Sequence, residues 1–213
     1  MNRSLFVSFE GVEGSGKSTQ LRLLRAALEG RAIAVTSVRE PGGTPVGERV
    51  RDLLLNAHEL SFDARAEVLL FSAARAQLVT DVIRPALARG EAVLADRFSD
   101  STRAYQTFAR ELDWKAVDKL LSFATGGLEP DLTILLDLPP EEGLARKWRA
   151  QQRLDRLDQA SLDYHQRVRA GFLALARAEP GRIVTLDAHL PTDELFQVIL
   201  ERVLVRLRDG GAA

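Results

Sequence analysis

Apolar residues along this chain follow two spacings. Five short runs, at 5–9, 33–38, 92–95, 132–136 and 183–186, are close to continuously apolar, as strands buried on both faces are. Longer stretches at 18–28, 46–55, 64–88, 114–123, 141–149, 161–178 and 192–208 place apolar residues at helical intervals. Gly90, Pro130-Asp131 and Pro180-Gly181 stand before the last three short runs and mark turns. Strands alternating with helices predict a parallel sheet covered on both faces: a three-layer α/β/α fold with five strands. No repeat, low-complexity tract or linker interrupts the pattern, so one domain spanning 1–213 is expected.

Composition removes several function classes. Cysteine is absent, which excludes disulfide scaffolds, thiol nucleophiles and Cys-ligated metals. His58, His165 and His189 lack ligand spacing, so no histidine metal site is expected. The formal net charge is −1, so no nucleic-acid partner is expected. No apolar run approaches the roughly 20 residues of a membrane span. The start, Met1-Asn2-Arg3-Ser4, has no signal-peptide pattern, so a soluble cytoplasmic setting is expected. Only Lys17, Lys115, Lys119 and Lys147 are lysines; the other basic residues are arginines. Codon usage explains that bias more readily than phosphate binding does, so location must identify the functional arginines.

The first location is explicit. Gly11-Val12-Glu13-Gly14-Ser15-Gly16-Lys17-Ser18 fits G-x-x-x-x-G-K-[ST] between an expected strand and an expected helix. Glycines let backbone N–H groups converge on an anion, and the helix N-terminus adds partial positive charge. Lys17 would neutralise the β- and γ-phosphates, and the Ser18 hydroxyl would ligate Mg²⁺. Together with Thr19 these residues form the expected ATP site. The run Ala92-Val93-Leu94-Ala95 ends at Asp96, a carboxylate placed to reach the same Mg²⁺.

The remaining candidates lie where α/β sheets bind ligands, at strand C-terminal ends. Arg39 follows the second strand, ahead of Glu40-Pro41-Gly42-Gly43-Thr44. Phe71 and Arg75, spaced i, i+4, share a helix face; spacing alone favours a core ring beside a surface arginine over a base-binding pair. Arg97, Ser101-Thr102-Arg103 and Tyr105-Gln106 follow Asp96.

Taken in order, these segments, with Pro130-Asp131-Leu132-Thr133, Leu136-Asp137 and Leu154-Asp155-Arg156, resemble the thymidylate kinase family over about residues 4–190. The resemblance implies a P-loop NTPase-type, nucleoside monophosphate kinase-like fold. It implies transfer of the ATP γ-phosphoryl group to dTMP with Mg²⁺, and a homodimer. It assigns Glu13 to the sugar 3′-hydroxyl, Arg39 and Arg97 to the dTMP phosphate, and Phe71 to stacking on thymine. Arg75 becomes the donor to the base O4, Thr102 a base-edge contact, and Tyr105 the ring beneath the sugar. Two departures stand out: Phe98 where Tyr or His is usual, removing a polar group beside Arg97, and Asp158 where Glu is common.

The basic stretch 146–158 is ordinarily a solvated helix end. Phosphoryl transfer, however, needs cations on the transferred group. The family carries its catalytic Arg either in the P-loop or in a lid. Here position 14 is Gly and the loop has no Arg, so the resemblance implies the bacterial type, with a lid at about 142–158. Arg153 is the first choice for catalysis and Arg149 the second. Trp114 and Trp148 are expected to serve packing. The remaining alternative is a deoxynucleoside kinase or another small-acceptor P-loop kinase, with Glu40 or Glu10 as general base.

Overall fold

The structure, a computed structural model, describes residues 4–57, 59–150 and 155–209. Strands β1 (Leu5–Glu10), β2 (Val35–Arg39), β3 (Ala92–Asp96), β4 (Leu132–Asp137) and β5 (Ile183–Asp187) form one parallel sheet in the order β2-β3-β1-β4-β5. Central β1 is wholly buried, which is why its run is continuously apolar apart from Ser8 and Glu10. Alternation along it splits the core. Leu5, Val7 and Phe9 pack with helices α1 (Lys17–Glu29) and α9 (Thr192–Asp209). Phe6 faces the other layer, with Leu78, Ile83 and Phe98. Ser8 on that face bonds Thr133 at 2.9 Å, and Phe6 N donates to Asp131 at 2.7 Å, so two residues of the Pro130-Asp131-Leu132-Thr133 segment hold β4 to β1.

Helices α2 (Pro45–Arg51), α3 (Ala64–Leu78), α4 (Arg84–Ala88), α6 (Trp114–Thr125), α7 (Pro140–Arg149) and α8 (Leu162–Ala178) fall where the apolar spacing puts them. Thr44 caps α2 by accepting from Gly47 N, and Ser161 caps α8 by accepting from Tyr164 N.

Three stretches differ from expectation. Residues 64–88 are not one α-helix: a π-helical turn, Val79–Ile83, separates α3 from α4. Pro85 offers no N–H and crowds the carbonyl four residues earlier, and the wider turn accommodates it. A second π turn, Asp52–Asn56, ends the helix expected over 46–55. Helical segments α5 (Ser99–Thr102) and the π-helical Arg103–Phe108 have no counterpart in the expected elements. Almost every residue from 99 to 106 is buried, polar ones included, so no apolar stripe marks them.

Candidate active site

β1 leaves the sheet at Glu10, and the chain turns through Gly11, Gly14 and Gly16, whose φ angles of 136°, 69° and 94° suit glycine alone at low cost. Lys17 opens α1 and is buried. Its Nζ donates to the carbonyl oxygens of Gly11 at 3.1 Å and Val12 at 2.8 Å. Burial, then Arg97, push its ammonium down to about 8, against the pull of Asp96, Glu13 and Glu10. Ser18 Oγ donates to Asp96 Oδ2 at 2.6 Å. Hydroxyl and carboxylate oxygens are the donors Mg²⁺ prefers, so the chemistry of this pair fits that ion. Among the described residues no cluster of three or more His, Cys, Asp or Glu could hold a metal alone. Val12 and Ser15 are buried inside the loop; Gly16 and Thr19 are exposed.

A cavity of about 370 Å³ opens beside this loop. Sheet order creates it: β1 sits between β3 and β4, and Phe9 is in register with Asp96, so the loop after β1 and the segment after β3 are neighbours. Glu13, Gly14, Lys17, Ser18, Arg39, Phe71, Arg75, Asp96, Arg97, Thr102 and Tyr105 all line it. Phe71 and Arg75 thus share a face turned to the cavity, which overturns the core-and-surface reading of that pair.

One wall is an ionic network. Arg97 Nη2 donates to Glu13 Oε1 at 2.7 Å and to Tyr105 Oη at 3.2 Å. The Tyr105 hydroxyl lies 2.7 and 2.9 Å from the two Glu13 oxygens. Burial alone would raise the Glu13 carboxyl, but Arg97, Lys17 and the Tyr105 hydroxyl outweigh it and hold it at about 2. Burial pushes the Tyr105 phenol well up, so it stays a donor.

Two other arginines that line the cavity are neutralised in pairs. Arg75 is 2% exposed. Its Nε and Nη2 donate to Glu40 Oε2 at 2.8 and 2.6 Å, Nη2 also to Phe98 O at 3.1 Å, and Nη1 to Thr102 Oγ1 at 3.0 Å. Burial raises the Glu40 carboxyl while Arg75 opposes it. Four of the five guanidinium N–H groups are engaged, which leaves one on Nη1 for a ligand carbonyl. Arg39 is more than half exposed and pairs with Glu48 at 2.9 Å. Phe98 is buried edge-on to Phe6, and its ring lies 5.3 Å from the Arg75 guanidinium carbon. The Phe-for-Tyr/His departure therefore bears on Arg75, whereas Arg97 takes its partners from Gly11, Glu13, Ser101 and Tyr105.

The basic stretch divides. Arg153 lies outside the described residues. Arg149 is exposed and borders a separate shallow groove with Trp148 and Asp158, not the cavity. Trp148 is 74% exposed, which corrects the packing role expected for it; Trp114 does pack edge-on against Phe108. Arg156 is tied down: Nε donates to Leu54 O at 2.8 Å and Nη2 to the buried Glu67 at 2.5 Å. Lys147 pairs with Asp158 at 2.5 Å, closing the base of the 147–158 segment.

Sequence reasoning gave no individual role to Ser101, Gln106, Lys147 or Asp155, which lie in segments it singled out, and missed Arg51 altogether; all five line the cavity. Arg51 sits in a helix whose spacing reads as an ordinary amphipathic surface, and burial, then Arg39, lower its pKa. Only the fold around α2 brings it to the cavity.

Comparison with known proteins agrees with this geometry. The chain matches the family described as Thymidylate kinase over residues 9–199. It is 52% identical over 195 residues to the thymidylate kinase of Deinococcus radiodurans, covering 92% of this chain and 94% of that one. It is 46% identical over 211 residues to that of Trichlorobacter lovleyi, covering 95% and 98%. The crystal structure of thymidylate kinase from Ehrlichia chaffeensis superposes with a TM-score of 0.76 at 30% identity, covering 94% of this chain and 99% of that one. With a P-loop, its paired Ser18 and Asp96, and an arginine-lined cavity beside them, this chain belongs to the thymidylate kinase family and is a phosphotransferase of the nucleoside monophosphate kinase type.

Proposed function

We propose that this chain transfers the γ-phosphoryl group of ATP to the 5′-phosphate of dTMP, with the cavity as the acceptor site and the glycine loop as the donor site. A dTMP phosphate oxygen forms a bond to γ-phosphorus as the bond to the β–γ bridging oxygen breaks. ADP leaves with that electron pair, and dTDP forms. The observation that carries this reading is the shared cavity: Lys17, Ser18 and Asp96 line it together with Phe71, Arg75, Arg97 and Tyr105.

Phe71 stacks on thymine, and the free Nη1–H of Arg75 donates to O4, with Thr102 at the base edge. Glu13, held ionised at about 2, accepts from the 3′-hydroxyl, and Tyr105 lies beneath the sugar. Arg39 and Arg97 bind the acceptor phosphate, joined by Arg51. Ser18 and Asp96 would hold Mg²⁺, which neutralises charge on the β- and γ-phosphates. Lys17 exchanges its carbonyl partners for phosphate oxygens.

No free general base is needed, because a phosphate oxygen is already anionic. Of the candidate bases for a hydroxyl acceptor, Glu10 is buried with both oxygens hydrogen-bonded, and Glu40 is held by Arg75 through Oε2 while its Oε1 has no partner among the described residues. The engagement of Glu10 favours a monophosphate over a nucleoside acceptor.

The catalytic arginine comes from a lid over 142–158, with Arg153 first and Arg149 second. Gly14 supports a lid origin. A Cβ at 14 would collide with the backbone of Gly143 in α7, so the loop has no room there for an arginine stem. Closing the lid excludes water that would hydrolyse ATP. The proposed assembly is a homodimer in the cytoplasm; no helix among the described residues is long and apolar enough to cross a membrane.

An ADP-release assay with ATP, Mg²⁺ and dTMP, dUMP, dCMP, AMP, GMP or thymidine tests the reading. Strong turnover with dTMP, weaker with dUMP and none with thymidine is expected. The missing 5-methyl is worth about 1–3 kcal/mol in an apolar pocket. Turnover with thymidine but not dTMP overturns the phosphate roles of Arg39 and Arg97.

A further inference from the structure

Glu10 has no part in the roles above, although it ends the central strand beside the cavity. Alternation along β1 places it on the face shared with Phe6 and Ser8, opposite Val7 and Phe9. It is fully buried, and both carboxylate oxygens are used. Oε1 accepts from Phe98 N at 2.7 Å, and Oε2 accepts from Ser101 Oγ at 2.5 Å. These two partners follow the exit from β3, where the backbone is held in an unfavourable conformation. Arg97 has φ 74°, the left-handed region that residues with a Cβ avoid, and it persists only where surroundings impose it. The Arg97 amide donates to Phe9 O at 3.0 Å, and the next amide, that of Phe98, is the one Glu10 accepts.

Ser101 completes a relay. Its hydroxyl donates to Glu10 and accepts from Arg97 Nη1 at 3.0 Å. The carboxylate therefore touches Arg97 twice without contacting its guanidinium: through the backbone at 97–98 and through a shared hydroxyl. Keeping a carboxyl here is unfavourable by itself. Burial, then Asp100, push it up to about 7, while Arg97, Ser101 and the Phe98 amide act in the opposite sense. A site that only needed filling would be better occupied by an apolar side chain.

We infer that Glu10 is a positioning residue for the acceptor phosphate: it imposes the left-handed turn at Arg97 and, through Ser101, orients the Arg97 guanidinium into the cavity. The inference rests on the reading of Arg97 as a phosphate-binding arginine. Its consequence is selective. Loss of Glu10 weakens recognition of the phosphate and leaves recognition of the nucleoside intact.

Calorimetric binding of dTMP and of thymidine to the wild type, Glu10→Gln, Ser101→Ala, Arg97→Ala and Glu10→Gln/Arg97→Ala tests this. Arg97→Ala is expected to raise the Kd for dTMP roughly 100-fold and that for thymidine far less, the latter through Glu13 and Tyr105, which Arg97 also bonds. Glu10→Gln and Ser101→Ala each raise the dTMP Kd roughly tenfold with thymidine unchanged, and Glu10→Gln adds nothing in the Arg97→Ala background. Equal weakening of dTMP and thymidine by Glu10→Gln makes Glu10 general scaffold and overturns the inference. So does a silent Glu10→Gln beside a selective Arg97→Ala, or an additive double variant. An Arg97→Ala that leaves the dTMP-to-thymidine ratio unchanged overturns the reading of Arg97 itself, and the inference with it. If Glu10→Gln does not fold, Ser101→Ala reads the same relay.

Discussion

Ser18 Oγ lies 2.6 Å from Asp96 Oδ2, although the two residues are 78 positions apart in the chain. Pairing of β1 with β3 brings them together: Phe9 is opposite Asp96, and the loop after β1 carries Ser18 back over the end of β3. If this pair holds Mg²⁺, either partner's loss lowers metal affinity. Ser18→Ala and Asp96→Asn are each expected to move the Mg²⁺ dependence of the initial rate to higher concentration. Asp96→Asn should cost on the order of 10²-fold in turnover at ordinary Mg²⁺. Mg²⁺ titrations that superpose on the wild type remove both residues from the metal site.

Arg75 and Glu40 form a pair with side chains only 2% and 5% exposed, so removing one partner strands the other. Glu40→Ala leaves a buried guanidinium short of its main acceptor, and a loss of about 3–5 kcal/mol is expected. Glu40→Gln keeps an acceptor and should cost less. Urea unfolding at unchanged m value checks both. A Glu40→Ala midpoint within about 1 kcal/mol of wild type means Arg75 finds other partners.

Glu10 also makes stability depend on pH, with a definite sign. Its folded pKa, about 7, lies above its ordinary 4.5, so between those values the native state holds the proton more tightly than the unfolded chain. Stability from this group therefore falls as pH rises through that window. The charged groups facing it are Asp100, Arg97 and Lys17. Glu13 has the opposite sign: held at about 2, it stabilises above 4.5 and loses that contribution in acid. Wild type minus Glu10→Gln in unfolding free energy should decline by on the order of 3 kcal/mol from pH 4.5 to above 7. A flat difference means the Glu10 carboxyl titrates normally.

The arginines of the 146–158 stretch should separate by function. Arg153→Ala with Arg149→Ala is expected to lower kcat by roughly 10³-fold or more while the fold survives. Arg156→Ala should behave differently. Its guanidinium bonds Leu54 O and the buried Glu67, so stability falls first. Thermal unfolding beside saturating kinetics distinguishes the two patterns. Unchanged turnover in the double variant returns the catalytic charge to Lys17 and Arg97.

Helices α3 and α6 pack together yet leave Leu69 55% and Phe123 87% exposed. If the proposed homodimer covers these residues, a dimer mass in sedimentation at micromolar concentration is expected. Phe123→Glu should shift it toward the monomer. A clean wild-type monomer rules the dimer out.

The strands were legible because a doubly covered parallel sheet demands apolar runs, and each observed strand lies within a residue or two of its run. The glycine loop was legible because converging amides demand glycine at set intervals. The 99–108 segment was not. Its polar residues are buried and paired with Glu10, Glu13 and Glu67 from elsewhere in the chain, and nothing local encodes those partners. Pro85 was visible but its effect was not, since a π turn and a break look alike from sequence.

Local spacing thus determined the fold class and the phosphate loop, because those depend on periodicity and backbone freedom, while the candidate arginines came from the sequence's resemblance to thymidylate kinases. Which arginines face the cavity was decided by tertiary structure alone. A guanidinium bonds whatever acceptors the folded chain brings to it. Glu40 and Thr102 hold Arg75, Glu13 and Ser101 hold Arg97, and Glu67 holds Arg156 away from the cavity. Those partners lie from 4 to 89 residues away in the chain, and only packing sets their distances.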